Sequence, residues 1–169
     1  MREVRGWVCF DWGGTLMSEE GPLDIAMGLW PEVRAIDGAG ETLGALAGRY
    51  GIAIATNATV SDRFMIERAL ARVDLLDFVD EIFCFTEIGS RKDSRRFWEA
   101  VMQATGAGAG EIVMVGDTLQ QDVIGPRESG IASIWFNEGG RHPAPERPVP
   151  MVTQLVEVVP LIDAILRPT

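Results

Sequence analysis

Several residue types that build common functional sites are scarce in this sequence. Only two cysteines and one histidine occur among its 169 residues. Cys9 and Cys84 both fall inside apolar runs, where a free thiol behaves as a small hydrophobic side chain, and His142 is the only histidine. Because zinc sites are built from clusters of such ligands, we expect no zinc site in this protein.

Long apolar segments and basic clusters are missing as well. The first apolar run is short and ends in Asp11, so neither a signal peptide nor a membrane-spanning helix is expected. We therefore expect a cytoplasmic protein with no membrane partner. The net charge of −10 and the lack of a basic patch argue against nucleic acid as a partner. The acidic balance is compatible with a divalent cation, although most of these carboxylates should simply be solvated.

Length and apolar content predict a single domain that spans residues 1–169. A chain of this length, 47% apolar, is long enough for one core and too short for two ordinary domains. Five short apolar runs do not alternate cleanly with polar residues, which is typical of strands buried on both faces. These runs are Val8 to Phe10, Ile52 to Ala55, Ile82 to Phe85, Ile112 to Val115 and Ile131 to Phe136.

Segments with helical spacing separate the apolar runs. Ser61 is a predicted N-cap for the second helix and Thr153 for the last one. Alternating strands and helices predict an α/β fold, a doubly wound parallel sheet with helices on both faces. Ligands bind such sheets beyond the carboxyl ends of the strands. The helical stripes are Leu43, Leu46 and Tyr50; Ile66, Leu70 and Val73; Phe97, Val101 and Ala104; and Leu155, Val159, Ile162 and Ile165.

Polar residues follow four of the predicted strands. Asp11 ends the first run, Thr56 and Asn57 end the second, Lys92 follows the third, and Asp117 ends the fourth. Two carboxylates from different strands can hold Mg²⁺, which prefers oxygen ligands. A hydroxyl and an ammonium group can bind phosphoryl oxygens, and an aspartate can form an acyl phosphate. The residues at this edge of the sheet therefore predict a protein that transfers phosphoryl groups.

Lys92 is the only lysine, beside fourteen arginines. A lone lysine is usually a solvated surface residue. Its position a short loop after the third predicted strand, in a chain that otherwise uses arginine, favours a functional role.

These residues belong to four motifs that resemble those of the haloacid dehalogenase-like (HAD) superfamily. They occur in the order expected for the family, each after a strand, and the resemblance covers almost the whole chain. One such motif would be weak support, but four in order are specific. The motifs are Asp-x-x-Gly-Thr-Leu at Asp11 to Leu16, Thr56-Asn57, Arg91-Lys92-Asp93, and Gly116-Asp117-Thr118-Leu119-Gln120-Gln121-Asp122.

The resemblance implies a role for each of these positions. Asp11 would be the nucleophile and a ligand of Mg²⁺, and the carbonyl of Gly13 and the carboxylate of Asp117 would be further ligands. Asp122 would orient metal-bound water; otherwise it is an ordinary carboxylate at a helix start. The phosphoryl group would be held by Thr56, Asn57 and Lys92.

One position departs from the family pattern. Most phosphatases that this chain resembles have a second aspartate, the general acid and base, where this chain has Gly13. Such a group typically contributes roughly 10² to 10⁴-fold in rate, so an unassisted enzyme should work best on good leaving groups. Glu19, Glu20 or Asp24 in the following segment are candidate substitutes, and an exposed acidic loop is the simpler alternative.

The spacing of the motifs also predicts a HAD-like domain without a sizeable cap. Neither the interval from Asp11 to Thr56 nor the interval from Thr56 to Lys92 has room for one, so the site should be open. Either a phosphate on a large substrate enters it, or a second copy of the chain covers it.

Several functions are compatible with this sequence. The favoured one is a Mg²⁺-dependent phosphatase that acts through an aspartyl phosphate on Asp11. The alternative is a catalytically weak module that binds a phosphorylated ligand or a protein. Phosphonate cleavage and dehalogenation rank below both because the family members that perform them depend on a cap. A phosphoacceptor receiver domain ranks below both because the second acidic cluster here follows Lys92, which is the wrong order.

Overall fold

The computed structural model describes residues 4–167 and confirms the α/β fold. Six parallel strands form one sheet in the order β3-β2-β1-β4-β5-β6. All the predicted runs lie largely within strands, and the last, two-residue strand was not predicted. The strands are β1 (Trp7–Phe10), β2 (Gly51–Thr56), β3 (Glu81–Cys84), β4 (Ile112–Gly116), β5 (Ala132–Phe136) and β6 (Met151–Val152).

Helices lie on both faces of this sheet. Alternate residues along a strand point to opposite faces, so neighbours in β1 belong to different cores. Val8 packs in the core that includes Leu43 and Ile162, while Cys9 packs in the core that includes Trp98. The helices are α1 (Ala39–Leu46), α2 (Arg63–Ala71), α3 (Phe85–Ile88), α4 (Arg95–Thr105), α5 (Gly125–Glu128) and α6 (Val158–Ile165).

Several predicted boundaries are wrong by a residue or two. Phe85 begins α3 instead of ending β3. The N-cap of α2 is Asp62, whose carboxylate accepts a hydrogen bond from the Met65 N–H, and not Ser61. Thr153 caps nothing, because a turn of 3₁₀ helix precedes α6 and the carboxylate of Glu157 accepts the backbone N–H of Thr153 instead.

Tyr50 and Val73 lie just outside α1 and α2, although both helical stripes were drawn through them. The two residues still pack against the core. Among residues 4–167, no helix is both long and apolar enough to cross a membrane.

The order of the strands places a crevice beside β1. β2 pairs with one side of β1 and β4 with the other, so the chain leaves β1 in one direction and returns on its other side. Ligands of doubly wound sheets bind at such a switch point. Asp11 follows β1 and Asp117 follows β4, and the backbone N–H of Asp11 donates to the Val115 carbonyl at 2.8 Å.

Candidate active site

The carboxyl ends of β1, β2 and β4, with the loop before α4, surround a cavity of about 390 Å³. It is lined by five of the candidate residues from the sequence: Asp11, Gly13, Thr56, Lys92 and Asp117. Asp122 is fully buried beneath it. One wall is apolar and is formed by Leu23, Ile25, Met27 and Trp30.

Lys92 is the centre of a buried ion network. Its side chain is 2% exposed, and its Nζ lies 2.7 Å from Asp11 Oδ1 and 2.6 Å from Asp122 Oδ1. Burial acts to lower the pKa of Lys92, but the two carboxylates outweigh burial and raise it above its usual value. The ammonium group is therefore charged and points at the floor of the cavity.

Backbone contacts keep the Lys92 loop in position. Asn57 Oδ1 accepts the backbone N–H of Lys92 at 2.8 Å, and Asn57 Nδ2 donates to Gln121 at 3.0 Å. The indole N–H of Trp98 donates to the Lys92 carbonyl at 2.7 Å. Both ends of the Asn57 amide thus form hydrogen bonds, one to the Lys92 loop and one to the helical segment that contains Gln121. The predicted contact of Asn57 with phosphate stays a prediction.

Asp122 lies in the first turn of a π-helical segment, Leu119–Ile124, where it accepts the backbone N–H of the N-cap Thr118 at 2.9 Å. It is therefore a carboxylate at a helix start, and it is also fully buried. A Cβ on Gly116 would lie 2.2 Å from Asp122 Cγ, so only glycine at that position leaves room for this side chain. Burial and the nearby charge of Asp11 raise the pKa of Asp122 to about 7. The fourth motif, Gly116 to Asp122, therefore places the Asp122 carboxylate beneath the floor of the cavity.

Asp117 lies on the far side of Asp11 from β2. The Thr15 hydroxyl donates to its Oδ1 at 3.2 Å, and the Trp135 indole N–H donates to its carbonyl at 2.9 Å. Burial and the neighbouring Asp11 raise the pKa of Asp117 to about 8. Neither Thr15 nor Trp135 was among the predicted site residues, although Thr15 belongs to the first motif.

Three carboxylates in this site are close enough to share a cation. Oxygens of Asp11, Asp117 and Asp122 all lie within 4.8 Å of one another. An all-oxygen set of this kind suits a hard divalent ion such as Mg²⁺. Burial is the first cause of the raised pKa values of Asp117 and Asp122. Repulsion from Asp11 adds to it, because like charges at this distance repel unless a cation or a proton lies between them.

Thr56 ends β2 beside Asp11. It is 3% exposed and its Oγ1 accepts the Ala58 N–H at 3.0 Å. This contact turns the chain at the end of the strand and leaves the hydroxyl hydrogen free to point into the cavity.

Among the three acidic residues considered as substitutes for the missing general acid, only Glu19 lines this cavity. Burial and the proximity of Asp11 raise its pKa. Glu20 instead forms a solvent-exposed ion pair with Arg34 at 3.1 Å, and Asp24 is exposed.

Trp12 and the cysteines belong to the core, as expected for structural residues. Trp12 is 4% exposed and packs in the larger core, although it also lines the cavity. Both free cysteines are buried, and burial raises the pKa of the Cys9 thiol to about 12. His142 is exposed, and its ring stacks on Trp135 with centroids 6.3 Å apart.

Comparisons with a family profile and with known proteins agree on one family. The profile of the haloacid dehalogenase-like hydrolases matches residues 26–136, which include Thr56, Lys92, Asp117 and Asp122. The chain is 30% identical over 129 residues to a pyrimidine 5′-nucleotidase of Escherichia coli, covering 75% of this chain and 56% of that protein. It is 26% identical to a glyceraldehyde 3-phosphate phosphatase of Methanothermobacter thermautotrophicus, over 73% of this chain and 57% of that one. The chain thus spans about half the length of these relatives.

Solved structures extend the likeness over the full fold. An uncharacterised protein of Listeria monocytogenes serotype 4b superposes with a TM-score of 0.77 at 28% identity. That match covers 96% of this chain and 98% of the other.

Proposed function

This chain belongs to the haloacid dehalogenase-like hydrolase family, and from that membership we propose that it is a Mg²⁺-dependent phosphatase acting on phosphoric monoesters. In this proposal Asp11 attacks phosphorus and carries the phosphoryl group as an aspartyl phosphate. Residues 1–169 act as one domain without a sizeable cap. The general acid that is usual in the family is replaced by Gly13.

The observation that carries this proposal is the position of the Asp11 carboxylate. It lies at the floor of an open cavity, and its Oδ1 contacts the ammonium group of Lys92 at 2.7 Å. The ammonium group orients the carboxylate and supplies positive charge where an incoming phosphoryl oxygen would come to rest. The Thr56 hydroxyl at the neighbouring strand end would bind a second phosphoryl oxygen.

The donor set fits Mg²⁺, which would be held by Asp11, Asp117 and the carbonyl of Gly13, with Asp122 nearby to orient its water. When bound, the cation would offset phosphate charge and so let an anionic nucleophile approach. Lys92 keeps the oxygen of Asp11 that it contacts from turning away, and the Thr15 hydroxyl fixes one oxygen of Asp117.

The names of two relatives support a phosphate ester as the substrate class. One is named a pyrimidine 5′-nucleotidase and the other a glyceraldehyde 3-phosphate phosphatase, and the substrates in these two names share little beyond the phosphate. The apolar rim of the cavity includes Leu23 and Val60, which are 67% and 51% exposed. We propose that this rim contacts the non-phosphate part of a substrate. A second copy of the chain is the alternative occupant, and sedimentation over a range of concentrations separates the two.

A phosphatase screen tests the proposal. The protein should hydrolyse aryl, alkyl or acyl phosphates in Mg²⁺, lose the activity in EDTA and regain it when Mg²⁺ is added in excess. Full activity in the chelator would contradict metal dependence. No hydrolysis of any phosphate ester, together with tight binding of a phosphorylated ligand, would favour the alternative of a binding module.

A further inference from the structure

We propose that Glu19 supplies the general acid and base that Gly13 lacks. This inference rests on the proposed phosphatase function. It assigns a proton-transfer role to a residue that the family motifs do not include.

The carboxylate of Glu19 occupies the space of a missing side chain. A Cβ built on Gly13 would lie 2.3 Å from Glu19 Oε1, 2.9 Å from its Cδ and 3.0 Å from its Cγ. The first distance is close to that between Cβ and a carboxylate oxygen within an aspartate. Glu19 therefore presents an oxygen within the space that the carboxylate of an aspartate at position 13 could reach.

Backbone conformation does not require glycine at this position. Gly13 is absent from the set of residues with positive φ, whereas the adjacent Gly14 has a φ of 80°. The three atoms nearest to a Cβ at position 13 all belong to the far end of the flexible Glu19 side chain. The glycine thus makes room for a carboxylate that comes from a different point in the chain.

The segment that carries Glu19 is anchored on both sides of this residue. Met17 is fully buried and forms a bridge with Ala35. The backbone N–H of Ser18 donates to the Arg34 carbonyl at 2.8 Å, and the Gly21 N–H donates to the Glu19 carbonyl at 2.9 Å. Glu19 therefore projects from a short turn that is tied to the core, and a fixed origin of this kind is needed to hold a catalytic group in place.

The other acidic residues of this segment do not compete for the role. In the described structure neither Glu20 nor Asp24 lines the cavity. Glu20 pairs with Arg34, and both side chains are more than two-thirds exposed, at 78% and 72%. Of these two adjacent and exposed glutamates, only Glu19 reaches the cavity.

The proposed chemistry balances in two steps. In the first, an Asp11 carboxylate oxygen bonds to phosphorus, the bond from phosphorus to the leaving oxygen breaks, and the carboxyl proton of Glu19 passes to that oxygen. In the second, the Glu19 carboxylate takes a proton from water, the water oxygen bonds to phosphorus, and the bond from phosphorus to Asp11 breaks. Inorganic phosphate leaves, with Asp11 again a carboxylate and Glu19 again protonated.

Glu19→Gln tests the first step, with Glu20→Gln as the matched control. Glycerol phosphate has a poor leaving group that needs a proton, and p-nitrophenyl phosphate has a good one that does not. Glu19→Gln should lower kcat for glycerol phosphate by on the order of 10² to 10⁴-fold, with a much smaller loss in the release of p-nitrophenol in the first turnover. Glu20→Gln should leave both rates within about twofold of wild type.

The second step has its own signature in the same variant. Without a base to activate water, aspartyl phosphate should accumulate, so Glu19→Gln should release p-nitrophenol in a burst followed by a slow steady rate. Acid quenching during the steady phase should trap the phosphorylated protein, which should not accumulate in wild type.

Moving the carboxylate back to position 13 provides the decisive variant. Gly13→Asp combined with Glu19→Ala removes the steric conflict and should recover at least one-tenth of wild-type turnover on glycerol phosphate, while Glu19→Ala alone stays low. Thermal melting shows whether each variant is folded. If wild type hydrolyses phosphate esters and Glu19→Gln matches it on both substrates without a burst, the role of Glu19 is wrong and the proposed function stands. If wild type hydrolyses none, both fail together.

Discussion

The two edges of the sheet use carboxylates in opposite ways. At the carboxyl edge, Asp11 and Asp122 share the buried ammonium group of Lys92, and oxygens of these two residues and of Asp117 lie within 4.8 Å of one another. At the amino edge, Asp163 on α6 accepts hydrogen bonds from Arg49 and Tyr50, and its side chain is 38% exposed. The pKa values of Asp117 and Asp122 are raised, whereas that of Asp163 is lowered.

The direction of each pKa shift shows whether the charge of the carboxylate stabilises or destabilises the folded state. A raised pKa means that the folded state disfavours the negative charge, and a lowered pKa means that it favours the charge. The carboxyl edge therefore holds carboxylates whose charge is disfavoured by burial and by mutual repulsion, which a cation would relieve, while Asp163 at the amino edge joins α6 to the start of β2. Residues selected for activity often cost stability in this way, so variants at the two edges should respond in opposite directions.

Asp11→Asn should produce the largest effect and confine it to activity. An amide cannot form the acyl phosphate, so kcat should fall by on the order of 10⁴-fold or more, with the protein still folded. The checks are kcat with an aryl phosphate and the loss of acid-trapped phosphoprotein. Asp163→Asn, at the other edge, is the control and should keep wild-type kcat. Substantial turnover by a folded Asp11→Asn protein would mean that another residue attacks phosphorus.

Lys92→Met should cause the largest loss of stability. It removes the one cation between two buried carboxylates, which typically costs about 3–5 kcal/mol, and urea unfolding at pH 8 measures the loss. The loss should shrink as the pH falls toward 5, because the remaining carboxylates take up protons. Arg95→Gln breaks the exposed Arg95–Glu99 pair and should cost less than about 1 kcal/mol. Equal losses of stability for the two variants would show that burial of the Lys92 network does not increase its contribution to the free energy of unfolding.

Much of this architecture was predictable because five of the six strands are short apolar runs buried largely on both faces. The converging motifs were predictable for a related reason, since parallel strands bring their carboxyl ends to one edge. The N-cap of α2 was missed by one residue because Ser61 and Asp62 are both good caps and the hydrogen bond to Met65 decides between them. β6 has only two residues, too few for a periodic pattern.

The position of Glu19 required the structure. Glu19 and Glu20 are adjacent and identical in sequence terms, and only the turn anchored by Met17 and Ser18 directs one to the cavity and the other to Arg34. Asn57 shows the same limit, because its motif predicts contact with phosphate, whereas its hydrogen bonds join the Lys92 loop to Gln121. Side-chain direction depends on contacts between distant segments, which no local pattern specifies.

Asp117→Asn should stabilise the metal-free protein, by about 1 kcal/mol. The folded-state pKa of about 8 lies above the ordinary value of 3.8, so the charge of Asp117 costs stability that is absent below about pH 4 and complete above about pH 8. The gain should therefore be largest at pH 8 or above and fade toward pH 4. The substitution should not cost the hydrogen bond from the Thr15 hydroxyl, because asparagine keeps an oxygen that can accept it. Saturating Mg²⁺ should reverse the order, because the cation stabilises wild type. Urea unfolding with and without Mg²⁺ measures this, and a metal-free variant less stable than wild type at pH 8 would contradict it.

Asp163→Asn should give the smallest effect, with the opposite sign. The Tyr50 hydroxyl donates to Asp163 at 2.7 Å and Arg49 lies 2.6 Å away, and the hydrogen bond from Tyr50 is the main cause of the lowered pKa. Because the folded-state pKa is below the ordinary 3.8, the charge stabilises the fold above about pH 4, and this contribution is lost as the pH falls further.

Asparagine keeps an acceptor for the Tyr50 hydroxyl but loses the charge, and the pair is partly exposed. The loss of stability at pH 7 should therefore be only about 0.5 kcal/mol. The difference from wild type in urea should shrink as the pH falls below about 4, and Mg²⁺ should not alter it. A loss at pH 7 as large as that of Lys92→Met, or one that Mg²⁺ removes, would show that the two edges are coupled and would end the distinction between them.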